Sequence, residues 1–287
     1  MLTFFTVNPF TALLFFLPVI VFSMIFMHPL YVVLNVCLSF GACMVLARKE
    51  TISGIKFTLG FGAVIALVNP LFNTEGETVL FTYFGRPYTL QALVYGFVMA
   101  GILISCINWF SCMGSVLTND KFIYIMGGRL PNLCAMLSMV TGLVPFFQSK
   151  LVEISRVQSV NLKSDSSVRS AFRALSTATS YAFEHRINMS VSMKNRAFGT
   201  GNKTQYARYR IRTADVVLMI IIALLTAVTT VFCLSPATSA QIIPQIIFAP
   251  VDTRQTVGIV CYILLLMIPV ITTVIEEIQW QYLKSKI

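Results

Sequence analysis

Apolar runs of bilayer-crossing length recur along this chain, separated by short polar breaks. The pattern predicts spans over Phe10–Met27, Leu30–Ala47, Ile55–Leu71, Thr89–Phe110, Thr213–Leu234 and Thr256–Ile275. A hydrocarbon core of about 30 Å needs roughly 18–20 apolar residues in a helix. Proline marks several of the breaks. Pro29 disfavours helical geometry at His28, so a turn falls between the first two spans. Asn69-Pro70 closes the third span, and a polar loop over Phe72–Tyr88 follows it.

The middle of the chain reads differently. Asn119-Asp120-Lys121 forms a loop or a helix start, Gly127-Gly128-Arg129-Leu130-Pro131 is a break, and Pro131 opens a helix. The apolar segment Asn132–Lys150 contains Pro145, and its pattern fits a span and a membrane-surface helix equally. From Leu151 to Arg212 the chain turns polar and basic, with Lys163, Arg169, Arg173, Arg186, Lys194 and Arg196 among its cations. Within it Val168, Phe172, Leu175, Thr179, Ala182, Phe183, Ile187 and Met193 recur at steps of three and four, the spacing of one apolar stripe on a helix. Gly199–Thr204 breaks that helix. The loop Ser235–Gln255, rich in proline and isoleucine, dips into the interface, and the tail ends in an aromatic anchor at Trp280 and Tyr282 followed by Lys284 and Lys286.

Composition turns this pattern into a class. Of 287 residues 56% are hydrophobic and 11% charged, against about 25% charged in soluble domains. The expectation is an all-α polytopic membrane protein with about six transmembrane helices and a cytoplasmic coupling domain of long amphipathic helices. Three parts follow, 1–112 and 213–287 carrying spans and 113–212 the coupling helices. The net charge of +10 does not point to nucleic acid, because the basic residues cluster beside spans. With both termini cytoplasmic, all of the 21 Lys and Arg except Arg86 and Arg254 fall on one side, as the positive-inside rule requires. The seven cysteines lie mostly in apolar runs without CxxC spacing, which suits small core residues better than disulfides or zinc.

Candidate chemistry narrows the function further. Gly199-Thr-Gly-Asn-Lys-Thr204 has the flavour of a phosphate loop but departs from its pattern, so a flexible connector is the better reading and no nucleotide motif remains. His28 and His185 are the two histidines; they are far apart and lack the neighbours that a metal site or a nucleophile–base pair needs. The spans carry almost no ionisable groups, which argues against an ion path through this chain, and the absence of an internal repeat argues against a two-halved carrier. Glu276 and Glu277 read as a polar girdle after the last span. Arg196 stands out, because it closes a long helix just before the glycines, where a cation is favoured and where it can reach an acidic groove on a partner.

Four stretches carry a family resemblance that covers nearly the whole chain. They are Gly128-Arg-Leu-Pro-Asn-Leu-Cys-Ala-Met-Leu-Ser-Met with Pro145 after it, Glu153–Leu162, Ser192-Met-Lys-Asn-Arg-Ala-Phe-Gly199, and Glu276–Ile287. Together they resemble the transmembrane T component of energy-coupling factor (ECF) importers, the ABC-type vitamin and metal uptake systems of bacterial and archaeal cell membranes. The resemblance implies a non-catalytic scaffold with no cofactor of its own, ATP being bound by two ABC-type ATPase subunits that dock on arginines at the two short motifs. It also implies a separate substrate-binding membrane protein, contacted by the coupling helices through Phe172, Leu175, Phe183 and Pro145. In the second motif Arg196 matches the docking arginine, with Asn195 and Ala197 in place of the family's Ala and Gly. In the first motif the Ala-Arg-Gly positions read Val160-Asn161-Leu162, so Asn161 brings no charge, and Arg156, on a neighbouring face, is its substitute.

A second account needs no resemblance. The basic helices could serve a structural or regulatory protein that binds anionic membrane lipid, in which case the number of charges matters and their positions do not.

Overall fold

The computed structural model describes residues 7–73, 76, 78–83, 86–161, 167–200, 209, 211–233 and 253–284. Nine helices and one two-stranded hairpin lie among them. In chain order they are α1 (Pro9–Ile25), α2 (Pro29–Leu46), α3 (Arg48–Phe72), β1 (Val79–Tyr83), β2 (Arg86–Thr89), α4 (Leu90–Val116), α5 (Asn119–Gly127), α6 (Pro131–Asn161), α7 (Ser167–Asn195), α8 (Thr213–Cys233) and α9 (Thr253–Lys284). The protein is all-α and polytopic. Six helices are long and apolar enough to cross a membrane, namely α2, α3, α4, α6, α8 and α9. Five of them match predicted spans; the predicted first span is the 17-residue apolar helix α1, and the sixth long apolar helix is α6.

Local chemistry sets the starts of the helices. Pro9 and Pro29 take first-turn positions, where a missing N–H costs nothing. Asn8 Oδ1 accepts from the amide of Phe10 at 3.1 Å, and His28 Nδ1 accepts from Leu30 at 3.3 Å. Thr89 caps α4 through Ala92, and Asp215 accepts from the Arg212 amide at 3.1 Å, the return half of a capping box at the start of α8. One residue, Ala47, separates α2 from α3, so Arg48 and Lys49, at the polar break between the second and third predicted spans, form the first turn of a helix. The polar loop after α3 contains an antiparallel hairpin, tied to α4 by the Thr78 hydroxyl donating to Gln91 Oε1 at 2.7 Å. Helix α9 runs on past Ile275 to Lys284, so Glu276 and Glu277 are helical positions toward its end. Residues 201–204 of the connector, most of the loop 235–255, Leu162 and Lys286 lie outside the described residues.

The chain divides into two compact units, Met1–Thr118 with Tyr209–Ile287, and Asn119–Arg208. In the first, contacts fix how the helices run. Gly62 and Ile104 meet, as do Ala66 and Gly96, so α3 and α4 are antiparallel. Ser23 lies 3.2 Å from the sulfur of Cys106, and Phe15 and Phe16 pack edge-on to Trp109, so α1 and α4 are antiparallel too. By contrast Asn35, Ser39 and Cys43 follow one face of α2 and meet Trp109, Asn108 and Cys112, so α2 and α4 run the same way. The four helices therefore alternate in direction along the chain.

The interior of that unit is aromatic and aliphatic, with Phe15, Phe16, Trp109, Ile222, Tyr262, Leu265 and Leu266 all buried. Tyr262 of α9 sits among Phe22, Phe26 and Tyr31, ring centroids 5.4 to 6.4 Å away. Two polar pairs inside bridge α2 and α4. Trp109 Nε1 donates to Asn35 Oδ1 at 2.9 Å, and Asn108 Nδ2 donates to the Ser39 hydroxyl at 3.2 Å. Such bonds matter in lipid, where an unpaired amide finds no water.

The candidate coupling site on helices α6 and α7

In the second unit α6 opens at Pro131 and continues for 31 residues as one helix, with Pro145 inside it and exposed. Its Cys134 sulfur donates to the carbonyl of Ile123, which ties α6 to the short α5. Helix α7 lies antiparallel against α6, as three contacts show. Arg186 Nη2 donates to the carbonyl of Met139 at 3.1 Å, His185 stacks on Phe146 with centroids 4.5 Å apart, and Lys150 Nζ lies 5.5 Å over the ring of Tyr181 while bonding Glu153 at 2.7 Å. As residue numbers rise along α6 they fall along the facing α7.

The stripe that sequence periodicity assigns to α7 divides in the structure. The residues turned onto α6 are Ala174, Ala178 and Ala182, three alanines at i, i+4 and i+8 that let the two backbones approach closely. Of the predicted stripe, Ala182 belongs to this face. Phe172 and Phe183 remain 68% exposed and Leu175 44%, and Val168 and Ile187 are exposed with them. The physical reason is size: a close helix pair accepts methyl groups along its seam and leaves the bulky rings on the adjacent face. Side-chain bulk, which dominates a periodicity reading, pointed to the neighbouring face. The outcome is an unburied apolar strip along α7, with Val144, Val152 and Val157 of α6 also exposed.

The end of α7 is built with particular care. Asn195 is its last residue and Arg196 follows, exposed. Ala197 then adopts a left-handed conformation, φ 58°. The amide of Ala197 donates to Lys194 and that of Phe198 donates to Met193, both at 3.0 Å. This pair of bonds is a Schellman motif, which normally places glycine at the left-handed residue. Gly199, also at positive φ, and the Thr200 hydroxyl on the Ala197 carbonyl complete the turn. Arg196 thus sits on a fixed turn at the negative end of the helix dipole.

The first-motif residues lie at the other end of the pair. Arg156 is exposed on the last turns of α6, and Asn161 is the final residue of that helix, its side chain outside the described set. From the facing of Met139 with Arg186 and of Phe146 with Tyr181 and His185, Arg156 stands level with Phe172. Arg196 is 24 positions further along the chain than Phe172, or roughly 35 Å at the rise of an α-helix. The structure therefore brings Asn195, Arg196 and Ala197 together, keeps Arg156 and Asn161 apart from them, and strings the exposed Phe172, Leu175 and Phe183 between. Sequence reasoning missed the alanine seam and Arg186, whose bond to a main-chain carbonyl pins the two helices. An arginine on the edge of an apolar stripe was the available signal.

Neither a protein-family model nor a curated protein matches the chain.

Proposed function

We propose that this chain is the transmembrane scaffold of an ECF-type importer, a non-catalytic subunit that passes ATP-driven motion from two cytoplasmic ATPases to a separate substrate-binding membrane protein. One observation supports the reading above the others: the antiparallel α6–α7 pair carries Arg196 on a rigid turn at one end and Arg156 near the other, too far apart to serve one small partner site.

In this account each end engages one ABC-type ATPase. Arg196, exposed and already oriented, enters an acidic groove with little loss of side-chain freedom, and Asn195 and Ala197 shape the approach. Asn161 and Arg156 form the second contact, Arg156 providing the charge that Asn161 lacks. A desolvated arginine in such a contact costs about 2–5 kcal/mol when truncated. When the ATPases close on ATP, the ends of the helix pair are displaced. The pair moves as a lever because the Arg186–Met139 bond, the Phe146–His185 stack and the alanine seam hold it together. The exposed strip of Phe172, Leu175 and Phe183, with Pro145 on α6, bears on the substrate-binding subunit. The chain belongs in a bacterial or archaeal cell membrane with both termini inside, and the nutrient, a vitamin or metal ion, is chosen by the partner.

The test is reconstitution. Liposomes holding the purified chain alone take up no vitamin or cobalt, and liposomes holding the complex isolated from native membranes hydrolyse ATP and accumulate substrate. Uptake by the chain alone overturns the proposal.

A further inference from the structure

One turn before the ends of α2 and α4, two thiols meet. The sulfurs of Cys43 and Cys112 lie 2.8 Å apart, and the residues are 1% and 0% exposed. A disulfide bond is about 2.05 Å long, so less than an ångström of closure separates the pair from bonding. Each thiol has one hydrogen. That of Cys43 can reach the carbonyl oxygen of Asn108, 3.0 Å away, and either thiol can supply the hydrogen between the two sulfurs. The approach is set by the helices. Asn108 to Ser39 and Trp109 to Asn35 hold α2 and α4 in register just before the pair on both helices.

We propose that Cys43 and Cys112 form a redox-active dithiol, which a small uncharged hydroperoxide closes into a disulfide joining α2 to α4. One sulfur attacks the O–O bond of the peroxide, becoming a sulfenic acid and releasing water or an alcohol. The second thiol attacks the sulfenyl sulfur, the S–OH bond breaks, and the departing hydroxide takes the thiol proton as water. Two electrons pass from the sulfurs to the peroxide, and two S–H bonds are exchanged for one S–S bond. Burial selects the oxidant: a charged, bulky disulfide such as oxidised glutathione has no path to either sulfur, whereas hydrogen peroxide is small and neutral. Cys37 is on the same helix but exposed. It serves as an internal comparison, a thiol on the outer surface of a membrane-spanning helix that neutral peroxide reaches and charged glutathione does not.

The experiment uses the full chain in its native membranes. Membranes are treated with hydrogen peroxide or with oxidised glutathione, then denatured, alkylated and mapped by mass spectrometry without reduction. With peroxide, the Cys43 and Cys112 peptides lose alkylation together and appear as one joined species that dithiothreitol separates. With oxidised glutathione, both remain alkylated. In Cys112→Ser the joined species disappears and Cys43 gains no other disulfide partner. The inference is overturned if peroxide that oxidises Cys37 leaves Cys43 and Cys112 reduced, if the two are oxidised without being joined, or if either is joined to a different cysteine. The wild-type map decides the matter even if the variant does not fold.

Discussion

The amide of Phe198 donates to the carbonyl of Met193 across a left-handed Ala197. That arrangement fixes the exit of α7 and the direction in which Arg196 leaves it. An L-residue in this conformation costs about 1–2 kcal/mol relative to glycine. Ala197→Gly is therefore expected to stabilise the purified chain by about 1 kcal/mol, read as a higher Tm in detergent. An unchanged or lower Tm would show that the turn is not held as described.

The two faces of α7 should respond differently to substitution. Phe183→Ala removes a ring that packs on little within the chain, so stability changes by less than about 0.5 kcal/mol, while recovery of the substrate-binding subunit falls. Ala182→Leu forces bulk into the α6 seam and should lower stability by about 1–3 kcal/mol. Thermal unfolding of both variants checks the contrast; a large loss from Phe183→Ala contradicts the exposed strip.

Much of this was legible in the sequence, and the limits have physical causes. Pro29 and Pro131 mark helix boundaries because proline costs nothing in a first turn, and the apolar runs announce spans by length. Partners inside a bilayer are harder to read, because hydropathy does not distinguish a lipid-facing valine from a core one. The Asn35–Trp109 and Ser39–Asn108 pairs were therefore invisible. The hairpin at Val79–Thr89 is too short to stand apart from a loop pattern. Helix α9 outruns its hydropathy because Glu276, Glu277, Gln279, Gln281 and Lys284 are good helix formers that happen to be polar. At the candidate site the sequence located Arg196, but the strain at Ala197 required backbone geometry, and the alanine seam required knowing which face meets α6.

Helices α3 and α4 touch at a glycine. A Cβ at Gly96 would lie 2.6 Å from the carbonyl oxygen of Ala66 and 3.2 Å from the Asn69 side chain. Main chain cannot yield as a flexible side chain does, so Gly96→Ala should cost about 1–3 kcal/mol and lower the Tm. Gly114→Ala, with open space around it, is the control and leaves the Tm unchanged or slightly raised.

His28 makes the fold sensitive to pH. Burial lowers its pKa below the ordinary value, and its neutral Nδ1 accepts the Leu30 amide at the start of α2. Protonation removes that acceptor and puts a positive charge at a helix N-terminus. Because the unfolded chain binds the proton more readily, stability is full above about pH 6.5 and declines as pH falls from there through the lowered folded value. Tm measured from pH 7.5 to 5 should fall, and His28→Asn, which retains a capping oxygen but does not titrate, should flatten that part of the profile. An equal fall in the variant would assign the effect to other groups.

The central claim is that Arg196 docks an ATPase, and its most direct measurement is an affinity pull-down from native membranes with wild type, Arg196→Ala and Arg169→Ala, assayed for ATP hydrolysis and for the proteins recovered. The account predicts that wild type and Arg169→Ala bring down ATPase subunits and that Arg196→Ala loses most of that recovery, by at least tenfold if the contact is worth about 2 kcal/mol or more. If no form of the chain recovers an ATPase, or if the two arginine variants behave alike, the docking role fails and the basic helices are better read as a surface for anionic lipid.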